Sequence, residues 1–377
     1  MDKWLIPALI GIVILFILFP IVMLILVIAL LLLVAIPATW NALVPPKPYL
    51  TLTGKGGIII NWLCKWDKET ELVVWNHEEP DKQITLSPYK HIKSILGGRF
   101  TLYRVKVEGL HPGEIYQYKI VKVKENGNPG KVIHRGKNLW FKMPSLDMEI
   151  EPVKIAAFGD IQPRRFIPPI LQWLILKKVA RKKPDIILYL GDCTMNGNFL
   201  LEWTWFLRLL GILTTHVPFI AVTGNHDGFK RNPANDTGGR NAFTSFMDFP
   251  ENGYYYKVQH GGINFIALEY NGDLSKGSPQ LQFVTDVLSQ QKGEKELKSN
   301  WNIIISHTTP YNTAVKESRR PKHVFEMRSE IVPLLNDLPV VWLGGHEHAY
   351  QRFTVDGIHY ITTGATSSYH HHLYTTE

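Results

Sequence analysis

Three observations predict an α/β domain preceded by an all-β sandwich and one apolar segment of membrane-spanning length. No charged residue occurs from Trp4 to Pro46, and residues 5–36 are almost wholly Leu, Ile, Val, Phe and Ala. From Tyr49 to about Pro144, short alternating β segments are separated by turn signals. After Pro152, short apolar runs alternate with helical stretches, the pattern of strands covered on both faces.

The composition is that of a globular chain. At 377 residues there is room for about two or three domains. The 45 % hydrophobic and 20 % charged fractions leave no place for a dominant disordered tract. The net charge of +8 is spread without a long basic block. It suits an anionic substrate, an anionic membrane surface or plain solubility, and does not single out nucleic acid. Cys64 and Cys193 fall in different expected domains, so no disulfide framework is expected.

About 20 apolar residues span a bilayer, so residues 5–36 suffice with tilt to spare. A cleavable signal peptide has a shorter apolar region of about 7–15 residues, which favours an uncleaved anchor meeting the lipid bilayer through residues 4–36. A hairpin turned at Pro20 would leave arms of only about 15 residues, so one kinked helix is expected. Lys3 lies on one side and Lys47 and Lys55 on the other, which leaves the orientation undecided.

Pro45, Pro46 and Pro48 read as a stiff linker. Strands are expected over residues 57–62, 71–76, 100–107, 115–123 and 138–142, with turns at Pro80-Asp81, Gly97-Gly98 and Asn126-Gly127. Several short strands within about 100 residues argue for a β-sandwich. No catalytic residue type stands out in it, and a spacer or lid is its default role. In the α/β part, strands are expected over residues 153–158, 185–190, 219–222, 264–268, 302–305, 340–343 and 358–362. Helices are expected over 170–182, 279–291 and 325–335.

Ligands of open α/β sheets bind beyond the carboxyl ends of the strands. That edge collects metal-ligand residue types: Gly159-Asp160-Ile161-Gln162, Gly191-Asp192, Gly224-Asn225-His226-Asp227, Ser306-His307 and Gly344-Gly345-His346-Glu347-His348. Singly, each piece is weak. Gly-Asp after a strand is most often a turn or a cap, and a lone histidine is most often structural. His346 and His348 alternate with Glu347, so in an extended segment they point the same way and suit two neighbouring metals. Five such pieces in order are hard to obtain by chance.

The order and identities resemble the calcineurin-like metallophosphoesterase superfamily over about residues 150–370, and within it the purple acid phosphatases most. Further support comes from His307-Thr308-Thr309-Pro310-Tyr311, from Gly345 to Arg352, and from Gln280-Leu281 opening a helix after Glu269-Tyr270. The run Gly109-Leu110-His111-Pro112-Gly113-Glu114-Ile115-Tyr116 resembles the Leu-x-Pro-Gly-x-x-Tyr signature of fibronectin type III domains, whose tyrosine makes a corner hydrogen bond. The resemblance implies a four-layer α/β/β/α domain over residues 148–377 and a fibronectin III-like sandwich over 46–147, while the apolar run and the prolines make residues 1–45 the anchor and linker of a single-pass membrane protein. The resemblance also implies an extracytoplasmic catalytic domain.

Residue by residue, the resemblance implies that Asp192 bridges two metals. Asp160 and His348 complete the first; Gln162, which departs from the pattern, offers a weaker neutral oxygen ligand or a hold on a metal-bound water. Asn225, His307 and His346 join Asp192 on the second. His226 would contact the phosphate and assist the leaving group, with Asp227 orienting it or holding the loop. The chemistry suits a phosphate ester, whose negative oxygens repel nucleophiles. Two metals about 3.5–4 Å apart neutralise those oxygens and acidify a bound water.

Two positions depart from the pattern. Met195 stands where purple acid phosphatases carry the iron-colouring tyrosine, and Gln162 stands where the superfamily often has histidine. Divalent Mn, Zn or Fe(II) is therefore expected rather than iron(III). The same departures sustain an alternative, a catalytically impaired protein that binds phosphorylated ligands.

Residues 166–176 and 199–213 are unusually apolar. Packing onto the sheet is the simpler reading. A sharper one has them rim the site and rest on the bilayer, with Trp203 and Trp205 at headgroup level and a lipid-borne substrate. Arg164-Arg165 and Arg240 are candidate phosphate contacts. Asn235-Asp236-Thr237 is a glycosylation sequon where the compartment permits, and His370-His371-His372 reads as a loose tail.

Overall fold

The computed structural model describes residues 19–28, 45–54, 57–65, 68–95, 100–123, 129–133, 139–145, 151–163, 170–228, 239–293, 301–313, 322–364 and 366–367. The chain divides into two compact units, residues 1–44 with 164–168, and the remainder. Of the first unit, residues 19–28 are described; they are helical (α1) with exposed apolar side chains. The expected span over residues 4–36 lies mostly outside the described residues. Among those described, no helix is long and apolar enough to cross a membrane.

The second unit begins with the sandwich. Its strands are β1 (Tyr49–Leu52), β2 (Ile58–Lys65), β3 (Thr70–Asn76), β4 (Ile84–Leu86), β5 (Lys90–Ile95), β6 (Phe100–Val107), β7 (Ile115–Val123), β8 (Pro129–Val132) and β9 (Leu139–Lys142). One sheet carries β1, β2, β6 and β5; the other runs β4, β3, β7 and β8, with β9 also on β7. Large side chains such as Trp62, Tyr118 and Phe141 are buried between them. The Tyr116 hydroxyl accepts the backbone N–H of His111 at 2.9 Å, the corner bond that Leu110-x-Pro112-Gly113 leads one to expect.

The α/β part follows. Its elements are β10 (Ile155–Phe158), α2 (Ile170–Arg181), β11 (Ile186–Tyr189), α3 (Leu200–Leu210), β12 (Phe219–Ala221), α4 (Gly239–Met247), β13 (Tyr256–His260) and β14 (Ile263–Ala267). Then come α5 (Pro279–Gly293), β15 (Asn302–Ile305), α6 (Lys322–Glu326), β16 (Val340–Gly344), β17 (Tyr350–Val355) and β18 (Ile358–Thr363). In one sheet β10, β11 and β12 are parallel. In the other β14, β15, β16 and β18 are parallel, with antiparallel β13 and β17 at the edges.

The sheets of the two parts are not separate. β1 pairs antiparallel with β2 and parallel with β12, so a seven-stranded sheet runs from the α/β part into the sandwich. A freely moving spacer or lid does not fit this continuity, because shared ladder bonds tie the halves together. Arg104 of β6 adds to the seam, donating to Asn61 Oδ1 at 2.7 Å and to the Ser245 carbonyl at 2.5 Å.

Two expectations are corrected. The helix expected over 325–335 gives way after α6 to a π turn over Met327–Ile331 and a 3-10 turn over Val332–Leu335. Pro333 has no N–H to donate and its ring crowds the carbonyl four residues back, which breaks the α ladder there. Residues 199–213 do not face a bilayer either. Trp203 is 0 % and Trp205 7 % exposed, and α3 is buried over most of its length. The simple packing reading holds for that segment, as a helix apolar all round requires.

Candidate metal centre

Every candidate ligand lies just past a strand end. Asp160 follows β10, Asp192 follows β11, and Asn225 follows β12; His307 follows β15, and His346 and His348 follow β16. Four of the residues involved have left-handed backbone: Asp160 (φ 62°), Gln162 (41°), Asp192 (56°) and His346 (65°). Such conformations are uncommon outside glycine and cost roughly 1–3 kcal/mol each where the surroundings impose them. Hydrogen bonds between the loops impose them here. The N–H of Asp160 donates to the Gly191 carbonyl at 3.0 Å, and the N–H of His346 donates to Asp160 Oδ2 at 3.0 Å. The His226 N–H donates to Asp192 Oδ1 at 2.8 Å. Glycine permits the closest approach, since a Cβ on Gly224 would collide with the Asp192 carboxylate.

The side chains converge. Oδ1 of Asp192 is 3.4 Å from His307 Nε2, and Oδ1 of Asp160 is 3.5 Å from His348 Nε2. Asn225 Oδ1 lies 3.1 Å from His307 Nε2 and 2.9 Å from His346 Nδ1. One ligand atom from each of Asp160, Asp192 and His307 lies within 4.8 Å of the others, and all three residues are buried. Burial of a charge demands compensation. His307 and His226 supply part of it: burial alone would raise the Asp192 carboxyl, but the two histidines hold it down to about 2. Burial pushes Asp160 above the usual carboxylate range.

A metal pair fits this donor set. Oδ1 of Asp160 is buried and makes no hydrogen bond among the described residues. His307 Nδ1 faces the Leu190 carbonyl at 2.8 Å, while its Nε2 lies among Asp192 Oδ1, Asn225 Oδ1 and, at 3.2 Å, His346 Nδ1. The carbonyl holds an N–H on Nδ1, which turns Nε2 to the other donor atoms as a metal ligand would be turned.

The remaining expected residues take varied places. Gln162 Nε2 donates to Asp192 Oδ2 at 2.5 Å, which steadies that carboxylate. Nδ1 of His226 lies 2.9 Å from the Met195 carbonyl, and its Nε2 turns toward Asp192 Oδ2 at 3.9 Å. Met195 thus contributes its backbone to the site through His226. Asp227 is fully buried and accepts from the N–H groups of Gly224, Cys193 and Thr194 and from the Thr194 hydroxyl, at 2.9–3.1 Å. Those bonds join two metal loops to each other. Burial, with Asp192 nearby, raises the Asp227 carboxyl to about 7. Arg164, the side chain of Arg240, the Asn235 sequon and the histidine tail lie outside the described residues.

Two further residues support the site: Glu202, unmarked in the sequence, and Tyr270, marked there only within the Glu269-Tyr270 pair. Glu202, buried in α3, accepts the N–H groups of Met195 and Asn196 at 2.9 Å each, fixing the turn on which His226 rests. Tyr270 packs against three imidazoles: His307 at 5.1 Å, His346 at 5.7 Å and His323 at 4.7 Å between ring centroids. Gln280 at the start of α5 clamps this turn by accepting the Glu269 N–H at 2.7 Å. Tyr270 follows β14 just as the ligands follow their strands, and that position was the available signal.

Strand-end loops, a buried carboxylate pair and three converging histidines define a metallophosphoesterase. Residues 153–350, just over half the chain, match the calcineurin-like phosphoesterase family, and the chain belongs to it. It is therefore by class a hydrolase of phosphate ester bonds. Within that family it is similar to purple acid phosphatases. The probable purple acid phosphatase 20 of Arabidopsis thaliana is 24 % identical over 82 % of this chain and 69 % of its own length. The probable inactive purple acid phosphatase 27 of the same plant is 21 % identical over 55 % of this chain and 36 % of its own. A purple acid phosphatase from yellow lupin (Lupinus luteus) seeds shares the fold at a TM-score of 0.71 and 17 % identity, covering 88 % of this chain and 66 % of that one. The chain thus spans between about a third and two thirds of these relatives' lengths. Enzymes of these groups work with a pair of metal ions, and the Asp160, Asp192 and His307 cluster is the candidate for holding them here.

Proposed function

We propose that the protein is a dinuclear metal-dependent phosphoesterase held at a membrane. Asp160, Asp192 and His348 would hold one metal, with the Gln162 carbonyl as a further ligand; Asp192, Asn225, His307 and His346 would hold the other. When bound, the metal pair supplies charge neutralisation for the phosphoryl oxygens and a water acidic enough to attack phosphorus. The one observation that carries this reading is the buried convergence of ligand atoms, with His307 Nε2 against Asp192 Oδ1, Asn225 Oδ1 and His346 Nδ1, and His348 Nε2 turned to Asp160 Oδ1.

The chain's own residues then do the following. His226 keeps Nδ1 on the Met195 carbonyl, which leaves Nε2 turned to the cluster, where its proton can pass to the departing ester oxygen. Water adds to phosphorus as the ester P–O bond breaks, and the alcohol leaves neutral. Asp227 and Glu202 hold the loops that carry Asn225 and His226. Arg164 and Arg240 are proposed phosphate contacts. Residues 4–36 are the proposed single-pass anchor, with the catalytic part outside the cytoplasm, and a lipid-linked phosphate ester is the proposed substrate. The corner bond of Tyr116 supports reading the sandwich as fibronectin III-like.

Metal content and hydrolysis measured together test this. The protein should carry two metals per chain and hydrolyse p-nitrophenyl phosphate or its bis-ester with Mn, Zn or Fe, and Asp192→Asn and His346→Ala should abolish turnover. No bound metal and no turnover under any condition would sink the enzyme. A protein that merely binds phosphorylated ligands would then remain, a reading that the departures at Gln162 and Met195 sustain.

A further inference from the structure

The helix α2 carries an unusual outward face. Leu176 and Gln172 are buried, whereas Ile170, Leu171, Trp173 and Leu174 are 62, 51, 39 and 45 % exposed. At 100° per residue those four share one side of the helix with Lys177, Lys178 and Arg181, which are also exposed. The face is therefore apolar along its first half and cationic along its second. Lys182 and Lys183 extend the cationic end, and no acidic residue occurs from Ile170 to Lys183. Between the two halves, Lys177 Nζ sits 3.6 Å from the Trp173 ring centroid.

We infer that α2 is a docking element for an anionic lipid surface, with its apolar half in the acyl boundary and its basic half among the headgroups. Four large apolar side chains left in water call for a partner, and the charge pattern selects its chemistry. Interfacial helices bind through apolar burial plus attraction to anionic lipid, and tryptophan prefers the headgroup level between the two. Lysine stems can lie along apolar surface while their ammonium groups reach phosphate. α3, equally apolar in sequence, buries its side chains in the protein, so the exposure of α2 is not a general feature of this fold's helices. The inference stands apart from hydrolysis, since none of these residues belongs to the metal cluster.

The full-length chain tests it in nanodiscs. Cys64 and Cys193 are buried, so a Leu174→Cys variant takes a polarity-sensitive fluorophore at the new thiol. Emission should shift to the blue in discs of phosphatidylcholine with phosphatidylserine. The shift should weaken in high salt and disappear in a background of Lys177→Glu, Lys178→Glu and Arg181→Glu, with melting temperature checked to show that folding persists. Asp192→Asn should leave it untouched, which separates docking from chemistry. A label that stays in water in every lipid overturns the inference. An equal blue shift in neutral discs and in detergent also overturns it, and assigns the face to residues 4–36 or to a second copy.

Discussion

His307 Nε2 stands 3.4 Å from Asp192 Oδ1, while its Nδ1 stands 2.8 Å from the carbonyl oxygen of Leu190. Both partners are acceptors, and although His346 Nδ1 also lies 3.2 Å from Nε2, the Asp192 carboxylate favours a proton there. Burial would lower its pKa, but Asp192 and then Asp160 lift it to about 9. The metal must displace that proton. At pH 7.5, binding of the second metal is expected to release about one proton per chain. Calorimetric titration in two buffers of different ionisation enthalpy measures it, and release near zero would contradict the assignment.

The same pair fixes how metal-free stability depends on pH. Asp192, held at about 2, contributes stability that is complete above its unfolded value of about 3.9 and is lost as pH falls toward 2. His307, raised to about 9, contributes stability that is complete below about 6.5 and is lost as pH rises through 9. The chelator-treated protein should therefore lose melting temperature from pH 6.5 to 9 more steeply than the metal-loaded protein. Parallel slopes in the two melting series would count against the pair.

Asp227→Asn keeps the volume of a fully buried side chain but removes one of two oxygens that together accept four hydrogen bonds. Buried groups left unsatisfied cost roughly 1–3 kcal/mol. A loss of that size in urea unfolding is expected, and a change near zero would show that these bonds do not bind the loops.

Glu202→Ala should lower turnover about a hundredfold with little change in KM, because misplacing His226 by an ångström is enough. Steady-state kinetics on a phosphate monoester decides it. A purely structural glutamate would lower melting temperature and leave kcat per folded molecule alone.

Tyr270→Ala removes the ring that walls His307 and His346, and metal affinity should fall by about 10- to 100-fold, the usual effect of losing an outer-shell support. Tyr270→Phe should be close to the parent. Competition with a chromogenic chelator measures both, and a large loss in the Phe variant would mean the hydroxyl itself is needed.

Much of this molecule was legible in its sequence for a physical reason. Ligands such as Asp160 and His307 closely follow short apolar strands, so pattern and chemistry coincide. Glu202 escaped notice because an acid within Leu-Leu-Glu-Trp-Thr-Trp reads as a helix's solvated side, and only the fold brings Met195 and Asn196 to it. Trp203 and α2 show the same limit from opposite sides: two apolar runs look alike until the sheet decides which one it covers. β1 was hidden because four residues after a proline linker carry too little period to declare a strand, and its partner β12 lies far along the chain.

That shared strand also sets an order of assembly. β1 emerges early in synthesis and can pair at once with β2, but its other edge waits for β12, which is made much later. The sandwich is thus a template present before the α/β part exists, and Phe219–Ala221 adds to a row of hydrogen-bonding groups already in place. Residues 148–377 alone would present β12 with a bare edge and lack the Tyr49, Leu50 and Leu52 side chains buried along it. Birth order, more than domain count, decides which truncations of this chain can fold.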